Sequence, residues 1–298
     1  MTIKHVGLIG VGLMGHGIGK NLLEKGYQLS VMAHRNRQPV DSLIAKGAKE
    51  LKTPHDIAKA CDMVILCVTG TPQVEQNIYG EYGILGAVRP GLIIADCSTA
   101  EPTSTVKIAA DIAAKGGHFV DTPMTRTPKE AEAGKLGLMT GGPTDVIARI
   151  RPVLECFADT IVHAGAVGSA HQLKLINNFL SIAHAAVAAE AITVAAKAGV
   201  DMKALRDIVM AGGAASTMFG RLINVPLNND DSHAQFAIRN ARKDLRYYTN
   251  MTEQLPVTSF LAETAHQITV MADNLGYGDR FVPRLIDVLM QVNGMKTP

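Results

Sequence analysis

Four residues spaced for joint chemistry lie in the stretch KLINNFLSIAHAAVAAEAI. Lys174, Asn177, Asn178 and Ser181 follow one another at i, i+3, i+4 and i+7, so a helix sets them on one face. The surrounding residues are apolar, and a lysine with two asparagines is costly to bury there without partners. An ammonium group so placed can give a proton to a carbonyl oxygen as a hydride reaches the carbon, and its neutral amine can take the proton back. Asn178, one turn on, can orient the lysine or a substrate hydroxyl, with Asn177 and Ser181 along the same stripe. The bland alternative is a polar outer face, which the apolar remainder of the segment does not continue.

A second group is DTPMTRTPKEAEAG, Asp121 to Gly134, where Arg126 stands between Thr125 and Thr127 in a short loop. A guanidinium beside hydroxyls can grip an anion through paired charge-assisted bonds. It can equally be a surface arginine.

A third is GLIGVGLMGHGIGKNLL, with Gly10-x-Gly12-x-x-Gly15 directly after an apolar run and opening a helical one. Glycines at this spacing permit a tight turn and close backbone approach, and a helix N-terminus offers unpaired N–H groups to a pyrophosphate. Leu13 and Met14 lie within the loop. About 20 residues on, a site for NAD places an acid against the ribose hydroxyls. Here the chain reads AHRNRQ, with His34, Arg35, Asn36 and Arg37 and no carboxylate. Guanidinium groups suit a 2′-phosphate, so NADP(H) is expected as the preferred cofactor, with NAD(H) second. The alternative is a solvated turn that ignores the ribose.

These residues need a scaffold with two different periods. Up to about residue 163, β-rich runs (5–10, 27–33, 63–68, 92–97, 118–122, 135–142, 160–165) alternate with helical ones (15–25, 39–46 and 103–114 among them). That alternation predicts βαβ units and a largely parallel sheet. Residues 169–198 contain no proline or glycine and predict one long buried helix, followed by helices at 201–211, about 234–253, 258–274 and 280–293. The expected organisation is α/β: a Rossmann-type doubly wound domain over 1–165, then an all-helical domain over 166–298.

The bulk composition agrees. The 298 residues are 47% apolar with a net charge of +2 and no tryptophan. A basic field and stacking platforms for nucleic acid are therefore absent. Cys61, Cys67, Cys97 and Cys156 form no C-x-x-C pair and are expected as free thiols; no metal site is expected. The N-terminus enters a strand at once, and no run of about 18 uninterrupted apolar residues is found. The chain is expected to be cytoplasmic, with no membrane partner.

At these residues the sequence resembles the β-hydroxyacid dehydrogenase family over nearly its whole length. The resemblance is carried by the glycine loop with Asn21, by ADCSTAEPTS as D-x-S-T-x-x-P, by KLINN as K-x-x-N-N, and by RKDL, Arg242 to Leu245. It implies a Rossmann domain and a helical domain of the 6-phosphogluconate dehydrogenase type. The implied reaction is hydride transfer between a nicotinamide and a small anionic 3-hydroxy acid or its aldehyde. It makes Lys174 the general acid/base and Asn178 its partner. Lys243 would lie beside the cofactor, Ser98 and Thr99 near the nicotinamide, and Val68, Thr69 and Val74 along it. The family's substrate loop, D-x-P-V-S-G-G, aligns with Asp121 to Thr127. Two glycines there have become Arg126 and Thr127, which predicts that Arg126 holds the anionic end of the substrate, with Thr125, Thr127 and Ser98 also binding the substrate. A sulfolactaldehyde reductase-like enzyme using NAD(H), and a dinucleotide-binding sensor without catalysis, are the competing readings; an imine reductase fits less, since those enzymes generally lack the lysine. A homodimer or homotetramer is expected.

Overall fold

The computed structural model describes residues 2–296. The chain separates into two compact units, Met1–Lys174 and Leu175–Pro298. The sequence-based boundary after residue 165 precedes a long helix; the structural one falls inside it.

In the first unit the elements run β1 (His5–Ile9), α1 (Leu13–Glu24), β2 (Gln28–Val31), α2 (Gln38–Ala45), β3 (Lys49–Glu50), α3 (Pro54–Ala60), β4 (Met63–Leu66), α4 (Thr71–Tyr79), β5 (Ile93–Asp96), α5 (Pro102–Ala113), β6 (His118–Asp121), β7 (Met124–Thr125), α6 (Pro128–Glu132), β8 (Leu136–Gly141), α7 (Thr144–Leu154) and β9 (Ala158–Gly165). The sheet order is β3-β2-β1-β4-β5-β6-β8-β7, with β9 on β8. Every pair from β3 to β6 is parallel. Helices cover both faces of the central strands, so all four residues of β4 and of β5 are buried, apolar but for Asp96 at the end of β5. Strand order reverses between β1 and β4, which is where a doubly wound sheet opens a crevice at its C-terminal edge. The two-residue strands β3 and β7 are not anticipated by the sequence, being too short to show alternation.

Helix α8 (Ser169–Lys197) begins in the first unit and continues into the second. By length and composition it could cross a membrane, its most apolar 18-residue window having a mean hydropathy of 1.7, although His184 and Glu190 interrupt the apolar run. Its residues Ile182, Ala185, Ala189 and Ile192 instead enter the core of the second unit, packed with Leu222, Leu245 and Leu285. That unit also holds α9 (Met202–Ala211), α10 (Thr217–Leu222), α11 (Asn224–Asn228), α12 (Ile238–Gln254), α13 (Phe260–Ala272) and α14 (Leu285–Val292). Side-chain caps start α9 and α10: Asp201 accepts from the Ala204 amide and Ser216 from that of Phe219. Helices α10 and α11 escape the sequence because each is under two turns and they contain Gly220 and Pro226.

Candidate active site

The glycine loop follows β1. Gly10 has φ +100°, and a Cβ there would collide with the Cys67 carbonyl oxygen at the end of β4. A Cβ on Gly15 would collide with the Gly10 carbonyl. Both glycines are therefore required by the protein itself. Gly12 is different: a Cβ there would meet no atom within 4 Å. Gly12 is also the N-cap of α1 and supplies no side-chain cap, so the first amides of the helix stay open to a ligand. Leu13 beside it is 77% exposed, while Met14 packs on the core. Open space, uncapped amides and an uncovered apolar side chain together fit a dinucleotide. Asn21 lies on the far side, donating to the carbonyls of Gly17 (2.7 Å) and Ala131 (3.0 Å), and so fastens α1 to α6.

After β2, His34, Arg35 and Asn36 are exposed. Arg37 is engaged within the protein: its Nη1 and Nη2 each lie 3.0 Å from a carboxylate oxygen of Glu50, and Nη2 lies 2.9 Å from Asp41. Glu50 belongs to β3, which lies beside β2, so the sheet supplies an acid that the local sequence lacks. The Arg37 guanidinium holds the Glu50 carboxyl below its usual range. Arg35 makes no ion pair among the described residues. The Asn36 side chain closes a local turn by accepting from the Gln38 amide.

Beyond β4, Thr69 is exposed, but Val74 is not a lining residue. It faces inward from α4 and is 1% exposed in the core with Ile9 and Ile78, which corrects the sequence expectation. The Val68 amide donates to Ser98 Oγ at 3.0 Å, and the Ser98 amide donates to Asp96 Oδ1 at 2.9 Å. Ser98 is thus a buried tie between the β4 and β5 loops, with Thr99 next to it half-buried. Burial raises the Asp96 carboxyl above its usual range, against the opposing effect of His171. Burial likewise pushes the Cys67 thiol up to about 12, so no thiolate forms there.

Asp121, the last residue of β6, stands at the start of α8, where it accepts from the amides of Gly168 (2.8 Å) and His171 (2.9 Å). A carboxylate at a helix N-terminus satisfies orphan donors and the helix dipole together. Thr125 Oγ bonds back to the Gly137 carbonyl at 3.3 Å. Arg126 takes φ +79°, a conformation that favours glycine. Its Nη1 lies 2.7 Å from Asp159 Oδ1 and also donates to the Lys135 carbonyl, and Nη2 reaches Thr160 at 3.2 Å. Arg126 is therefore already paired within the protein, and an incoming anion must compete with Asp159. Thr127 departs from the expectation more fully: its amide and hydroxyl both donate to Glu130, making it the cap of α6.

On α8, Lys174 and Asn177 are half-buried, Asn178 is buried and Ser181 is exposed. In the second unit Asn178 Nδ2 donates to Asp244 Oδ2 at 2.6 Å, and Lys243 Nζ lies 2.7 Å from Asp244 Oδ1 and 4.8 Å from the centre of the Tyr247 ring. The Asn178 oxygen accepts from Asn177 Nδ2 at 3.3 Å, which leaves it capacity for one further donor. Asp244 was passed over in the sequence although it adjoins Lys243 in RKDL. His171, one turn before Lys174, was assigned no role from the sequence.

Residues 5–165 match the family described as the NAD binding domain of 6-phosphogluconate dehydrogenase, and residues 168–289 that described as NAD-binding of NADP-dependent 3-hydroxyisobutyrate dehydrogenase. The chain is 30% identical to 3-sulfolactaldehyde reductase of Escherichia coli (strain K12), over 92% of this chain and 91% of the relative. It is 29% identical to 2-(hydroxymethyl)glutarate dehydrogenase of Eubacterium barkeri, over 97% and 96%. Among solved structures, 3-hydroxyisobutyrate dehydrogenase from Salmonella typhimurium superposes with a TM-score of 0.84 at 27% identity, covering 95% of this chain and 99% of that one.

Proposed function

The chain belongs to the β-hydroxyacid dehydrogenase family and is an NAD(P)-dependent oxidoreductase acting on CH–OH groups, and from that premise we propose that it interconverts a small anionic 3-hydroxy acid and its semialdehyde, with Lys174 as proton carrier and NADP(H) as the preferred cofactor. The observation that carries this reading is a lysine half-buried on an apolar helix one turn before an asparagine whose amide is fixed by a buried carboxylate.

Gly10, Gly12, Gly15, Leu13 and Met14 would hold the dinucleotide, with Val68, Thr69 and Thr99 contributing. Bound nicotinamide supplies or accepts the hydride. Lys174 holds a proton at the substrate oxygen and gives it up as the carbonyl becomes a hydroxyl; in the reverse direction its amine takes that proton. Asn178, oriented by Asp244, presents its carbonyl oxygen to the ammonium or the substrate hydroxyl. Asn177 and Ser181 extend the polar stripe, Ser98 braces the loop, and Thr125 and Arg126 bind the anionic end after exchange with Asp159. His34, Arg35 and Asn36 receive the 2′-phosphate, Arg35 being the guanidinium with no internal ion pair among the described residues. A homodimer or homotetramer is part of the reading, because α8 leaves Ile176, Leu180, Val187 and Val194 exposed.

The test is oxidation of NADPH and NADH with glyoxylate, succinic semialdehyde, tartronate semialdehyde and sulfolactaldehyde. Lys174→Ala is expected to abolish turnover while leaving cofactor binding intact. Arg35→Ala is expected to lower kcat/KM for NADPH roughly 10–100-fold, the worth of a charge-assisted bond, and to spare NADH. Sustained turnover by Lys174→Ala would sink the mechanism. A parent enzyme that favours NADH would sink the cofactor preference alone.

A further inference from the structure

We infer that His171 is a positioning residue for Lys174, bracing the first turn of α8 against the loops that end β4 and β5; this rests on the reading of Lys174 as the proton carrier. His171 is fully buried, and the proposed chemistry makes no use of it. Its Nδ1 lies 2.7 Å from Thr105 Oγ on α5, and its Nε2 lies 3.2 Å from the Ser98 carbonyl and 3.9 Å from Asp96 Oδ2. Its backbone amide donates to Asp121. Ser98, in turn, accepts from the Val68 amide. Ser98 therefore ties the β4 loop, through its hydroxyl, to His171, through its carbonyl, and Lys174 follows one helical turn later.

The wiring is specific to an imidazole. Nε2 faces a carbonyl oxygen and so carries a hydrogen. Nδ1 then accepts from the Thr105 hydroxyl in the neutral ring. In the protonated ring Nδ1 donates to Thr105, whose own hydrogen goes to the Glu101 carbonyl at 3.2 Å. Asp96 Oδ2, buried and without a hydrogen-bond partner among the described residues, is the nearby counter-charge. Either state joins α8 to both α5 and the β5 loop, whereas an apolar side chain of the same size would join it to neither.

Displacing a reacting group by about 1 Å can cost on the order of 100-fold in rate. His171→Phe is therefore expected to lower kcat 10- to 100-fold in the NADPH–aldehyde assay, with KM and cofactor affinity within about threefold of the parent. His171→Gln, which restores one donor, should recover part of the loss. Thr105→Val, which removes only the Nδ1 partner, should lower kcat several-fold and serves if His171→Phe does not fold. Hydrogen exchange of amides 168–174 should accelerate in each variant. If kcat stays within threefold while Lys174→Ala is inactive, the brace is overturned and the role of Lys174 stands. If Lys174→Ala remains active, the proton-carrier reading fails, and the exchange data then decide the brace: acceleration supports it and unchanged protection overturns it.

Discussion

Arg126 shows how a single residue changes meaning between chain and fold. The sequence presents it as a cation among hydroxyls. The structure holds it at φ +79° by Asp159, Thr160 and the Lys135 carbonyl. If the substrate anion competes for the guanidinium, Asp159→Asn removes the competitor. KM for the anionic aldehyde should then fall, with kcat unchanged, in steady-state kinetics. A rise in KM would instead mean that the pair only shapes the loop. The same pair makes a prediction about pH. The hydrogen bond to Arg126 holds the Asp159 carboxyl below its usual value. Its contribution to stability is thus present above the unfolded value, about 4, and is lost as pH falls through the lower folded value. Asp159→Asn should flatten that part of a melting-temperature profile, to a small extent because the pair is exposed.

At the scale of the element, the glycines of α1 separate packing from binding. A Cβ on Gly17 would lie 2.5 Å from the Ala131 carbonyl carbon and 2.7 Å from the Glu132 amide nitrogen, where α1 crosses α6. Gly17→Ala should destabilise the fold by about 1–3 kcal/mol, since rigid backbone must give way; thermal melts will show it. Gly12 has no such neighbour, and its φ of −99° suits alanine. Gly12→Ala should leave the melt unchanged while weakening dinucleotide binding by about tenfold or more, read by nicotinamide fluorescence. Equal binding by parent and variant would remove the loop from the cofactor site.

For the whole molecule, the exposed residues Leu180, Val187 and Val194 recur every seven positions on α8, with Ile176 one turn earlier. Such a seam suits a second helix. Val187→Glu with Leu180→Lys should lower the mass seen by light scattering to that of one chain; an unchanged oligomer would move the interface elsewhere. Much of the architecture behind this seam was legible in the chain. The switch from β–α alternation to an uninterrupted helical run announced two units, because burial on both faces of a parallel sheet and around a core helix writes different periods into sequence. The glycine loop and the Lys174–Asn178 spacing were equally legible, because their geometry is local. Tertiary structure alone decided the rest. It brought Glu50 to Arg37 through β3, Asp159 to Arg126, Asp244 to Asn178, and Ser98 to His171, over separations of 13 to 73 residues. It also turned Val74 into the core and made Thr127 a helix cap. A side chain's type states which bonds it can make, but its charge partner is chosen by where strands and helices end, and no local spacing encodes that.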